Sequence, residues 1–60
     1  MTLRLDNYDG SYEEIRIQVG YISSSQGIAY VRYVPFDSPK YDYHEVMVDN
    51  YKMIHLFEDL

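Results

Sequence analysis

The chain has no cysteine and no tryptophan among its 60 residues, and only three glycines and two prolines. Each absence excludes something. Without cysteine there is neither a disulfide staple nor a thiolate metal site, so the framework of many small secreted domains is closed to it and a reducing cytoplasm is the expected setting. No apolar run approaches the roughly 18 residues that cross a membrane. The opening Met-Thr-Leu-Arg-Leu-Asp lacks the apolar region of a signal peptide, so the chain reads as soluble and as beginning at its native start. Positive charge is scarce too. Ten carboxylates against five Lys and Arg give a net charge of −5. That balance repels phosphate backbones and anionic membranes, argues against direct binding of double-stranded DNA, and favours a basic protein partner.

What is abundant is tyrosine, eight residues against two phenylalanines. Tyrosine joins a large contact area to few rotatable bonds and a polar tip, which suits binding surfaces. Eight hydroxyls also exceed what a core of this size can satisfy internally. Residues 1–60 make a single domain that buries only about 60% of the surface its unfolded chain exposes. Added burial against a partner is therefore expected to matter.

The stretch Gly27 to Val34 is β-branched and aromatic almost throughout, and Pro35 ends it. It predicts a central strand with Ala29, Val31 and Tyr33 on one side and Ile28, Tyr30, Arg32 and Val34 on the other. Residues 2–8 and 12–22 alternate in the same way, with Leu3, Leu5, Ile15, Ile17, Val19 and Tyr21 facing inward. A three-residue loop, Asp9-Gly10-Ser11, pairs Leu5 with Ile15 and Leu3 with Ile17. A loop at Ser23 to Gly27 then pairs Ile22 with Ile28, Val19 with Val31 and Ile17 with Tyr33, and lays Tyr30 over Gly20. Residues 41–48 supply a fourth strand that sets Val46 against Ala29, Tyr43 against Arg32 and Met47 against Ile28. Two readings fit residues 49–60. Met53, Leu56, Phe57 and Leu60 have the spacing of an amphipathic helix, though Glu58 and Asp59 oppose its dipole, while Lys52 to Phe57 reads equally as a fifth strand. The fold expected is mainly β, a small antiparallel sheet or partly open barrel of four or five strands, with a short C-terminal helix as the variant.

Chemistry is sparse. His44 and His55 have no nucleophile arranged beside them. His44 and Glu45, as strand neighbours, point to opposite faces and cannot readily share an ion with Asp42. Paired carboxylates such as Glu13-Glu14 are split in the same way, and a chain this short has no room for a dinucleotide or P-loop unit. The sequence thus predicts no catalytic residue, no metal and no cofactor.

What it offers is a surface of Ile22, Ile28, Tyr30, Arg32, Tyr41, Tyr43 and Met47, to which Phe57 adds apolar area. Aromatic residues with an embedded arginine are the composition of protein-binding hot spots. The same face could instead be covered by the C-terminal segment, or by a second copy. The energy balance favours a two-fold homodimer through Ile28, Tyr30 and Met47 or through residues 54–60, because a core this small offsets the ordering entropy only to near zero.

In class, the chain resembles the small, acidic, tyrosine-rich, cysteine-free proteins that bacteriophages encode to inhibit host enzymes or defence systems. The likeness rests on size, on the tyrosines and on the acidic excess of Asp6, Asp9, Glu13, Glu14, Asp37, Asp42, Glu45, Asp49, Glu58 and Asp59. It implies a stoichiometric inhibitor of a basic, nucleic-acid-handling protein, working in the host cytoplasm as a homo-oligomer. The alternative from the residues themselves is an SH3-like or OB-like module that takes single-stranded nucleic acid or a peptide on Tyr30, Tyr41 and Tyr43. Five basic residues make a poor groove for a nucleic-acid backbone.

Overall fold

Five strands carry the chain in a computed structural model that describes residues 1–58. They are β1 (Thr2–Asp6), β2 (Tyr12–Ser25), β3 (Ile28–Pro35), β4 (His44–Met47) and β5 (Met53–Phe57), with a 3₁₀ turn at Val48–Asn50. All pairings are antiparallel, in the order β4-β3-β2-β1-β5. The mainly β class read from alternation is the fold. The central position belongs to β2, fourteen residues long, and not to the 27–34 stretch. The C-terminal helix does not form, because Met53–Phe57 pairs with β1 as a strand. Leu60, the last position of the helical spacing, and Asp59 lie outside the described residues. Among the described residues no helix is long and apolar enough to cross a membrane.

The turns fix the registers, and they differ from the alternation-based ones. In the first hairpin Asn7 N–H donates to Ser11 O at 2.8 Å and Gly10 N–H to Asn7 O at 3.3 Å. The three-residue loop is therefore Tyr8-Asp9-Gly10, one residue earlier than expected. Its last position needs the left-handed conformation, and Gly10 supplies it with φ +94°. Leu3 accordingly faces Ile15, and Leu5 faces Glu13 at the strand end, where the carboxylate stays exposed.

The second hairpin closes through two residues, Gln26 (φ +54°) and Gly27 (φ +79°), as in a type I′ turn, so Ser23, Ser24 and Ser25 belong to β2. Ile22 pairs with Val31, Val19 with Val34, Gly20 with Tyr33 and Ser25 with Ile28. This is three residues from the predicted register, an odd shift that exchanges the two faces. A bulge between Ile17 and Val19 absorbs the exchange. Before it, Ile15 and Ile17 face the core; after it Gly20 and Ile22 do, while Val19 and Tyr21 turn outward. At β4 the shift is even, so the faces survive: Val46 meets Val31, Glu45 meets Arg32, Met47 meets Tyr30 and His44 meets Tyr33.

Leu3, Leu5, Ile17, Val31 and Tyr33 form the core, with Met1, Ile15, Val46, Val48, Tyr51 and Ile54 packed against it. A connection that includes a 3₁₀ turn joins β4 to β5 at the opposite edge, a span of ~19 Å across a flat five-stranded sheet. The five connecting residues, three of them in that turn, fall short of that distance, so the sheet curls and the turn seals the concave side against β3. Val34, on the other face, is also fully buried, outside that cluster.

Candidate protein-binding face

The convex side of the β2-β3-β4 half presents a row of paired residues, Tyr21 on β2, Arg32 on β3 and Glu45 on β4. Tyr43, two residues before Glu45, joins this row from the connection that precedes β4. The Arg32 guanidinium carbon lies 5.0 Å from the Tyr43 ring centre and 5.8 Å from that of Tyr21. The two rings meet edge to face at 6.4 Å and 71°. Arg32 Nε sits 2.8 Å from Glu45 Oε1, an ion pair without hydrogen-bond alignment. The cation is thus held between two aromatic faces and a carboxylate. Tyr21 is 39% exposed and Tyr43 46%, so both rings remain available on their outer sides.

The connection from Pro35 to Tyr43 is fixed from beneath by Gln18, the residue at the bulge. Its Nε2 donates to Pro35 O at 3.0 Å, to Phe36 O at 3.3 Å and to Ser38 O. Ser38 N–H returns to Pro35 O at 3.2 Å and Asp42 N–H to Pro39 O at 3.0 Å, so two prolines set successive turns. Asp42 Oδ2 lies 3.2 Å from His44 Nε2. Hydrogen bonds from His44 and Ser38 hold the Asp42 carboxyl below its usual range. His44 in turn stacks on Tyr33 at 5.5 Å. Burial raises the Tyr33 phenol above its ordinary value, so inside the core it stays neutral.

Of the residues read from sequence, Ile28, Tyr30, Arg32, Tyr43 and Met47 do share this convex face. Ile22 does not: the bulge turns it to the concave side opposite Val31, at the exposed end of the hairpin. Tyr41 stands in the connection, 83% exposed. Phe57 lies on the other half of the sheet, opposite Thr2 and stacked on His55 at 5.6 Å. Unbroken alternation places Tyr21 and Val19 in the core; the bulge turns both to the face, opposite Arg32 and Val34. Two signals carry their placement. Gln-Gly suits a two-residue turn, and Gly20 is the one residue that fits against Ile17 once the strand is bulged, since a Cβ there would come within 2.7 Å of Ile17 Cδ1.

Charge is distributed unevenly in its availability. All three arginines pack on rings: Arg4 over Tyr12 at 4.0 Å, Arg16 over Phe36 at 4.6 Å, and Arg32 as above. Arg4 and Arg32 are also paired with carboxylates, Asp6 at 2.9 Å and Glu45 at 2.8 Å. Asp9, Glu13, Glu14, Asp37, Asp49 and Glu58 have no ion-pair partner among the described residues, Asp9 accepting hydrogen bonds from Ser11. The two histidines make separate pairs, His44 with Asp42 and His55 with Asp6, and among the described residues no three His, Asp or Glu side chains converge on one point. No family model matches the chain, and neither a curated protein nor a solved structure is significantly similar to it.

Proposed function

We propose that the protein is a non-catalytic binding module that docks a basic protein surface through the convex face around Tyr21, Arg32 and Tyr43. In the biological setting that its class resemblance implies, it acts in the host cytoplasm as a stoichiometric inhibitor of a nucleic-acid-handling protein. One observation carries the reading: its arginines are committed to rings and carboxylates within the molecule, while six of the described carboxylates have no ion-pair partner among the described residues. A partner therefore meets aromatic area, phenol hydroxyls and negative charge. Rigid tyrosines lose little conformational entropy on contact, and surrounding acids steer a basic partner by long-range attraction.

Single-stranded nucleic acid is the weaker ligand for this face. Its phosphates require a positive groove, and here the one central cation is already flanked by Glu45.

The test is capture from a nuclease-treated extract with the immobilised protein and with a Tyr21→Ala/Tyr43→Ala variant that keeps the wild-type circular dichroism. The expected result is a basic protein retained by the wild type, released at high salt and lost with the variant. Retention that ignores the two tyrosines, or tight binding of single-stranded oligonucleotides in solution, would overturn the reading.

A further inference from the structure

The hydrogen-bond phase of β1 decides which backbone groups of β5 face outward. Ile17 N–H donates to Met1 O at 2.9 Å and Asn7 N–H to Ser11 O at 2.8 Å, so the odd residues of β1 exchange bonds with β2. Antiparallel pairs alternate, so Thr2, Arg4 and Asp6 turn their backbone groups to β5, and Phe57, His55 and Met53 return them. The N–H and C=O groups of Ile54 and Leu56 therefore point away from β1. No strand lies beyond them among the described residues.

Exposed strand edges are ordinarily blunted by lysine, proline, bulges or brevity. The opposite edge follows that rule: β4 is four residues long, with Glu45 among its outward-directed groups. The five residues of β5, Met-Ile-His-Leu-Phe, contain no acid, lysine or proline, and Met53, Leu56 and Phe57 are exposed on it.

The segment from Lys52 to Glu58 is also complementary to itself when run antiparallel about His55. Ile54 then faces Leu56 of a second copy, Met53 faces Phe57, and Lys52 faces Glu58. Neither Lys52 nor Glu58 has an ion-pair partner among the described residues of its own chain. Apolar size, charge and hydrogen-bond phase agree on this one register, since it sets the outward groups of Ile54 against those of Leu56. Lys52 N–H is already donated to Asp6 O at 2.8 Å, so Lys52 contributes only its side chain.

We propose that β5 is a self-association edge, at which two copies pair antiparallel through Met53–Phe57 about a two-fold axis at His55 and join their sheets into one. A second copy is the fitting occupant because the segment is its own complement, and a closed two-fold pairing uses up the edge that would otherwise template open-ended assembly. The Tyr21-Arg32-Tyr43 face lies on the other half of the sheet and stays free in the pair, so the inference does not depend on what that face binds.

Sedimentation equilibrium between ~5 and ~500 μM tests it on four forms. These are the wild type, the single reversals Lys52→Glu and Glu58→Lys, and the double swap. A fifth, synthetic chain carries an N-methyl group on Leu56, which blocks the outward donor and leaves every side chain in place. The wild type is expected at about twice its 7.2 kDa mass. Each single reversal should raise the dissociation constant about tenfold, because two symmetry-related charge pairs turn repulsive, and the double swap should restore it. The N-methylated chain should stay monomeric. A wild type that remains at 7.2 kDa throughout would overturn the proposal. So would a dimer indifferent to the reversals and to N-methylation.

Discussion

Replacing Gly27 by alanine isolates the backbone contribution of the turn that sets the β2–β3 register. Gly27 has φ +79°, and a Cβ built there meets nothing within 4 Å, so no steric clash confuses the outcome. An L-residue in the left-handed region costs about 1–2 kcal/mol. Alanine returns about 0.4–1 kcal/mol of that by restricting the unfolded chain. The net loss is about 0.5–1 kcal/mol, which for a domain this small lowers the melting temperature by roughly 3–6 °C. A D-alanine at the same position reverses the sign, since positive φ is its natural region and only the entropic gain remains. Chemical synthesis makes both chains accessible, and thermal melts followed by circular dichroism read the difference. Equal shifts for the two enantiomers would refute the tight turn and with it the pairing of Tyr21 with Arg32. A slack loop spanning Ser23 to Gly27 would give that result.

Leu3→Ala removes a fully buried side chain at the centre of the core and should cost about 2–5 kcal/mol, enough in a domain this small to leave much of the protein unfolded in a urea titration. Gly20→Ala brings a Cβ to 2.7 Å from Ile17 Cδ1 and 3.2 Å from Leu56 Cδ2, an overpacking of about 1–3 kcal/mol. Adding Ile17→Val deletes the first clash, so the double variant should lose less than the sum of its parts, a coupling that a double-mutant cycle reads directly. The hydrogen bond from Arg4, aided by His55, holds Asp6 below the usual carboxylate range. A depressed folded-state value stabilises the fold above the unfolded pKa of about 4 and is lost as pH falls through the folded one. The melting temperature should therefore drop more steeply below about pH 4 for the wild type than for Asp6→Asn.

Period-two alternation identified the strands because one face of each is buried. It located β1, β3 and the inward-facing Leu3, Leu5, Ile17, Val31 and Tyr33 correctly, and it put Arg32 beside Tyr43. It failed at Val19 and Tyr21, because a bulge reverses phase without any change in residue type along the strand. Three serines looked like a loop, yet they extend β2, since a strand that runs past the core has no apolar requirement there. Turn stereochemistry held the missing information. Gly10 must be third in its loop and Gly27 second in its own, and those two constraints alone yield both observed registers. At the C-terminus the choice between helix and strand was settled by β1, whose outer edge demands a partner for the backbone groups of Thr2, Arg4 and Asp6. That demand is tertiary, and no local pattern in residues 49–60 expresses it.

The bulge and the tight turn together put Tyr21 on the convex face, the one proposed to meet a partner, and Ile22 on the concave one. Photo-crosslinking tests that proposal most directly, with benzoylphenylalanine placed at position 21 in one chain and at position 22 in another. These neighbours point to opposite faces of β2. Irradiation in extract should give a covalent adduct with a basic protein from position 21 and none from position 22. An adduct from position 22 alone would contradict the account.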